Sequence, residues 1–314
     1  MSRVQAFKLT VAAAIAACVV SACTVDADDP ELPTGFAEAP GAADGLADPM
    51  FELVQEAERL AQEHPGRAIP PREGLVYGGD VSWPNCRPGI GIPERETKGL
   101  PMPTDEAEFV IIGLTNGPGY FMNPCLDVQV AWAKQHQMMT SVYSVISFPD
   151  DLQLARHGDE GPFDPTTPLG RLRNAGHAQG TFNMNSMRVV GVQSPAIWLD
   201  IEPVKDWEWS DDTAANVAVI EGAIRAYTDA GYRLGIYSVP SLWRNIAGTW
   251  SPGLPEWRSA GQTSREQALT RCDGDQHAFQ GGEPILAQWW DDERDHNLTC
   301  PGVGAHLGRW FHQY

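Results

Sequence analysis

The stretch Ala196-Ile197-Trp198-Leu199-Asp200-Ile201-Glu202-Pro203 decides how the chain is read. An apolar run ends in an Asp-x-Glu pair and is stopped by proline, which is how a buried strand delivers two acids at its end. Residues i and i+2 of a strand share a face, about 6.6 Å apart at Cα for a rise of about 3.3 Å per residue. At the C-terminal end of a barrel strand that face is the mouth, where barrel active sites lie. Two carboxylates held so close cannot both ionise freely, so one is kept as an acid. Asp-x-Glu occurs also at Asp29/Glu31, Asp206/Glu208 and Asp291/Glu293, but only Asp200/Glu202 terminates an apolar run.

Outward from this strand, the chain alternates strand and helix. Strand-like runs lie at Val76–Ser82, Phe109–Thr115, Thr140–Ile146, Ala196–Ile201, Arg233–Val239 and Pro284–Trp290, with a weak seventh at Leu254–Ala260. Helical patterns fall between them at Leu126–Gln137, Leu169–Arg188, Thr213–Ala230 and Ser264–Arg271, while Pro149–Leu169 reads as a long loop that could lie over the mouth. Such alternation implies a mainly parallel sheet of the α/β class. Residues 76–314 match the roughly 250 residues of a (β/α)8 barrel. The expected fold is a single TIM-type barrel, modified or incomplete because so few strands are well marked.

Ahead of the barrel the composition changes twice. The chain carries 41 acidic against 22 basic side chains, a formal charge of −19. That excludes a nucleic-acid binder, which needs a basic footprint. Residues 1–23 hold only Arg3 and Lys8, followed by the apolar run Leu9–Val20, too short to span a bilayer. They read as a secretory signal. Val20-Ser21-Ala22-Cys23 has the form of a bacterial lipobox, with Ile15-Ala16-Ala17-Cys18 a poorer candidate. The expected domains are a lipoprotein signal at 1–22, an acidic Pro/Ala-rich tether at 23–49, an amphipathic helix and linker at 50–75, and the barrel at 76–314. Lipidation at Cys23 would anchor the chain stably, since such a cysteine carries more than one acyl chain. The expected location is the outer face of the cell membrane.

Four cysteines remain in the exported part: Cys86, Cys125, Cys272 and Cys300. An even count in an exported chain implies two disulfides with three possible pairings. Pairing of sequence neighbours is favoured, and neither cysteines nor histidines show metal-ligand spacing.

Other strand ends add to the acid pair. Asp80 follows Gly78-Gly79; Tyr143 and Tyr237 put phenols near two further ends; Gln288-Trp289-Trp290 and Asp295-His296-Asn297 supply aromatic and polar groups from the last strand region. Together they would line one mouth with acids and stacking surfaces, as a sugar site requires. Hydrolysis of a glycosidic bond needs an acid that can protonate the leaving oxygen. No Gly-x-Ser-x-Gly and no His-Glu-x-x-His occurs, so serine or metal hydrolysis has little support.

Several motifs, in order, resemble glycoside hydrolase family 25, the Chalaropsis-type lysozymes: Gly79-Asp80-Val81-Ser82, Phe109-Val110-Ile111-Ile112, Leu199-Asp200-Ile201-Glu202, Gly235-Ile236-Tyr237-Ser238 and Asp295-x-Asn297. Asp80-Val81-Ser82-Trp83-Pro84-Asn85-Cys86, Asn123-Pro124-Cys125 and Ala278-Phe279-Gln280-Gly281-Gly282 resemble a related group of exported actinobacterial proteins. The family's usual Trp-Gln-Tyr on the last strand reads Ala287-Gln288-Trp289-Trp290 here. The resemblance implies a modified barrel with no cofactor. Glu202 would be the general acid, and Asp200 the nucleophile or the group that orients the substrate's 2-acetamido. Asp80 and Asp295 would complete the acidic cluster. Tyr143, Tyr237, Gln288, Trp289, Trp290 and Asn297 are expected to bind substrate. The expected partners are a cell-wall glycan and, through the lipid anchor, the membrane, with the protein a monomer. The alternative is a catalytically inactive glycan-binding lipoprotein with the same barrel.

Overall fold

The computed structural model describes residues 66–314, so the expected signal, Cys23, the expected tether and residues 50–65 of the expected helix and linker lie outside the described residues. Eight strands close into a barrel: β1 (Tyr77–Val81), β2 (Phe109–Gly113), β3 (Met139–Val145), β4 (Ala196–Asp200), β5 (Arg233–Ser238), β6 (Glu256–Gln262), β7 (Pro284–Trp290) and β8 (Asp295–Thr299). Strands β1 to β7 run parallel to their barrel neighbours among themselves. Strand β8 is antiparallel to both β7 and β1. A short β9 (His312–Gln313) pairs antiparallel with the start of β3.

The helices are α1 (Leu126–Gln135), α2 (Asp151–His157), α3 (Pro168–Val190), α4 (Thr213–Asp229), α5 (Pro240–Ala247) and α6 (Arg265–Leu269). The β1–β2 connection has only a 3-10 turn at Trp83–Asn85, and β7 and β8 form a hairpin. The barrel is therefore modified, as expected, but it is not incomplete. The loop expected at Pro149–Leu169 contains α2, started by a capping box in which Asp150 and Gln153 satisfy each other's backbone N–H. That segment is fastened to α3 through Asp159–Arg171 (2.8 Å) and the Asn174 amide, and none of its residues lines the cleft that opens at Glu202.

Alternation along each strand makes two cores. Val110, Ile112, Leu199, Ile201 and Ile236 face the helices, where Leu126, Val130, Val219 and Ile220 cover them. Phe109, Ile111, Met139, Trp198 and Trp257 face inward, and Trp310 and Phe311 seal the N-terminal pole. Trp198 stacks on Trp310 at 5.3 Å and Phe109 meets Phe311 at 4.6 Å. Gly235 makes room for this filling, since a Cβ there would stand 2.1 Å from the Trp198 ring. Outside, α3 and α4 cross closely because Gly222 has no side chain; its Cβ would lie 1.9 Å from the Arg173 carbonyl.

Both disulfides join sequence neighbours, Cys86–Cys125 and Cys272–Cys300. The first ties the β1–β2 loop to the start of α1, and the second ties the β6–β7 connection to the residue after β8. Residues 66–75 lead in along the N-terminal pole, with Arg67 N–H donating to the Gln313 carbonyl and Arg72 N–H to that of Gly304.

Candidate active site

Four acids gather at the C-terminal pole. Asp80 lies opposite Asp295 across the β1–β8 pairing, and Asp200 lies opposite Tyr237 across β4–β5. Glu202 follows two residues beyond Asp200, where the chain has left the strand. Its backbone is pinned on both sides. Trp209 Nε1 donates to the Glu202 carbonyl (3.0 Å), and Ser238 Oγ donates to that of Ile201 (2.8 Å).

Asp80 is the best satisfied of the four. Its Oδ1 accepts from Gln288 Nε2 (3.0 Å) and from Asn297 Nδ2 (2.6 Å). Each amide is fixed from behind. Trp257 Nε1 donates to Asn297 Oδ1 (2.8 Å), and the Tyr237 hydroxyl to Gln288 Oε1 (2.7 Å). Burial pushes the Asp80 carboxyl up to about 6, against the two amide donors that lower it, and the Glu202 charge adds to the rise. Asp200 is almost fully buried, and its Oδ1 has no hydrogen-bond partner. Burial, then the charges of Glu202 and Asp80, hold its carboxyl well above the usual range.

Glu202 is pushed to about 7 by burial and by Asp295, and Asp295 to about 8 by burial and by Asp80. These mutual effects place the four in one electrostatic cluster that cannot be fully ionised at neutral pH. Glu202 alone of the four lines an open cleft of about 380 Å³, which runs past Tyr237 and Trp290 to Arg271 and His277 on the β6–β7 connection. The cluster can therefore offer a proton into a groove and hold acceptors beneath it.

The other expected residues divide by strand parity. Tyr143 and Tyr237 point inward and pack edge-on against Trp257, at 5.8 and 4.7 Å, under the acids. Gln288 and Asn297 are buried behind Asp80, so they position a carboxylate and do not offer the substrate-binding surface expected of them. Trp290 stands on the rim, 37% exposed. A bulge in β6, between Ser259 and Gln262, carries Gly261 past its ring.

Trp289 is a correction. It faces the outer wall, where it stacks on His296 (5.1 Å) beneath Arg265, and it takes no part in the mouth. Consecutive strand residues point to opposite faces, so Gln288, Trp289 and Trp290 could not all face inward. Sequence reading did not single out Trp209, Arg271 or His277. They lie on irregular connections, where no period marks a side chain's direction.

A family model described as Lysozyme-like protein 1 matches residues 166–260, the span from α3 to β6 that carries Asp200 and Glu202. Over 81 residues the chain is 35% identical to Probable GH family 25 lysozyme 4 of Dictyostelium discoideum. This chain resembles the family 25 lysozymes. The match takes in 25% of this chain and 37% of that relative, so the chain spans well under half of the curated protein it matches. Among solved structures, the bacterial lysozyme from Streptomyces coelicolor aligns at 16% identity and a TM-score of 0.46, over 74% of this chain and 94% of that one. The modular autolysin LytC from Streptococcus pneumoniae, solved with a synthetic peptidoglycan ligand, aligns at 11% identity and a TM-score of 0.41, over 72% and 46%.

Proposed function

We propose that this chain is an exported, lipid-anchored glycoside hydrolase acting on peptidoglycan or a related N-acetylated glycan. One observation carries the reading: Glu202, held near 7, opens into the cleft above Asp200, whose Oδ1 has no donor of its own. A group with that pKa is still half protonated near neutrality, as a general acid must be.

In this reading Glu202 protonates the glycosidic oxygen as the bond to C1 breaks. Asp200 lies in the cluster with that acid, and a sugar seated deeply enough in the mouth to uncover the Asp200 carboxylate would let its Oδ1 accept the N–H of the 2-acetamido group, turning the carbonyl oxygen towards C1. As that oxygen bonds to C1 and positive charge develops on the amide, Asp200 stabilises it. Glu202, now a carboxylate, takes a proton from the water that opens this intermediate. Asp80, kept in place by Gln288 and Asn297, holds negative potential beside the site, while Asp295, pushed to about 8, keeps its proton near neutrality. Tyr237 and the Trp290 rim give the sugar rings apolar surface. A participating acetamido group implies retention at the anomeric carbon.

Purified full chain should clear a peptidoglycan zymogram, and Glu202→Gln should abolish clearing. Proton NMR of the first product should show the retained anomer. No clearing of several cell walls or of chitin oligomers would overturn the hydrolase. Unchanged co-sedimentation of wild type and Glu202→Gln with walls would then identify a binding protein. The lipobox-like run Val20–Cys23 supports Cys23 as the anchor point. Labelled fatty acid should be incorporated in wild type and not in Cys23→Ala, which should be released from membranes.

A further inference from the structure

The cleft that begins at Glu202 reaches Arg271 and His277, outside the acid cluster. Two arginines line it, and their surroundings differ. Arg258 is consumed by the fold: Nε pairs with Glu256 at 2.6 Å, and its terminal nitrogens donate to the carbonyls of Arg271, Gly274 and Gly282. Arg271 has no carboxylate within ion-pair distance among the described residues. Its Nε is enclosed without an acceptor, and Nη1 lies 3.0 Å from the ring nitrogens of His277. A part-buried guanidinium that lacks a carboxylate partner and lines an open cleft is costly to leave bare, and an anion entering the cleft would offset that cost.

The position is rigid. Arg258 holds the Arg271 carbonyl at 2.9 Å, and the next residue, Cys272, is bridged to Cys300. The His277 ring is kept neutral by burial and by the charges of Arg271 and Arg258, with Asp273 opposing, so it can accept from Nη1. That leaves Nη2, which has no partner among the described residues and is not enclosed, beside the second N–H of Nη1, an end-on pair that can meet the two oxygens of a carboxylate. The chain as a whole is acidic, at −19, so its general field would not retain such a group.

We infer that Arg271, braced by His277, is a binding site for a carboxylate carried on the glycan in the Glu202 cleft. This rests on the hydrolase reading and narrows it: the preferred substrates bear sugar-acid, lactyl or peptide carboxylates, and neutral N-acetylglucosamine chains bind more weakly.

The test is calorimetric binding to the full chain carrying Glu202→Gln, which removes turnover from the measurement. Two saccharides of equal length are compared, one containing muramic acid with its free lactyl carboxylate and one a neutral chitin oligomer. The carboxylate should tighten binding about tenfold or more, the range of a charge-assisted hydrogen bond. Adding Arg271→Gln should bring the preference close to unity, and Arg271→Lys should restore part of it. Absence of a preference in the Arg271 protein overturns the inference, whatever the variants do. So does a preference that survives in Arg271→Gln with an unchanged melting temperature. Hydrolysis by wild type is scored separately. A preference lost in Arg271→Gln without any hydrolysis supports the carboxylate site and sinks the hydrolase; hydrolysis without a preference does the reverse.

Discussion

Asp200 and Glu256 are both carboxylates with almost no exposed surface, on β4 and β6 of one barrel. Their surroundings are opposite. Glu256 Oε1 accepts the backbone N–H groups of Phe279, Gln280 and Gly282 at 3.0–3.2 Å, and Oε2 meets Arg258. The Ala278–Gly282 motif thus has a structural explanation: with Gly281 at φ +80, its backbone folds around the acid. Asp200 has an orphan oxygen and two acidic neighbours, Glu202 and Asp80, and no cation offsets its burial. A barrel that fully satisfies one buried acid and leaves an oxygen of another without a donor fits the proposed use of Asp200 on substrate. Burial alone therefore does not single out Asp200; its missing partner and acidic neighbours do.

The contrast is sharpest in two substitutions. Glu202→Gln should lower hydrolysis by about 10²–10⁴-fold, the worth of a general acid, while the melting temperature holds or rises; a variant that loses activity only because it unfolds would break the contrast. Glu256→Gln should do the converse in denaturant unfolding. It leaves Arg258 buried without its partner, at a cost of about 3–5 kcal/mol. Equal stability of Glu256→Gln and wild type would show the pair to be dispensable.

A milder comparison uses pH. The carboxyls of Asp80, Glu202 and Asp295 are raised from ordinary values near 4 to about 6, 7 and 8. Groups raised on folding favour the native state fully below their unfolded pKa, and that support is lost as pH rises through the folded values. Thermal stability should therefore fall between about pH 4 and pH 8. Asp295→Asn should recover part of it at pH 8 and nothing at pH 4. A recovery of about 1 kcal/mol would show as about 2–4 °C in Tm. Activity should also fall as pH passes the Glu202 value of about 7, when the acid loses its proton.

The smallest effect separates the two adjacent tryptophans. Trp290→Ala should raise KM a few-fold, in line with an aromatic contact of about 0.5–1.5 kcal/mol, and Trp289→Ala should leave KM alone while lowering stability.

What the sequence disclosed follows from where polarity had to go. Strand β4 and helix α4 were legible because their buried faces are apolar. Asp80, Asp200 and Glu202 were legible because each stands at such a strand's end. Strand β8 was not, since its inward residues Asp295, Asn297 and Thr299 are polar and outward Leu298 interrupts a hydrophilic run. The alternation is there with its sign reversed, as a strand that serves a site requires. Strand β6 was faint for a related reason: its outward face carries Glu256 and Arg258, an ion pair hidden under a loop. Helix α5 begins at Pro240, which reads equally as the stop of the preceding strand. The split of Gln288, Trp289 and Trp290 between faces follows from strand alternation, whereas the bulge in β6 that sets Gly261 beside the Trp290 ring has no local pattern to mark it.

The reversed direction of β8 has a mechanical consequence. Because the chain returns down the barrel after Asp295, both the lead-in at 66–75 and the last strand end at the pole opposite the acids. Any attachment upstream of residue 66 therefore pulls on the sealed end. Under the proposed anchoring, load would enter through the Arg67 and Arg72 backbone bonds at that pole and not through the acid-bearing end.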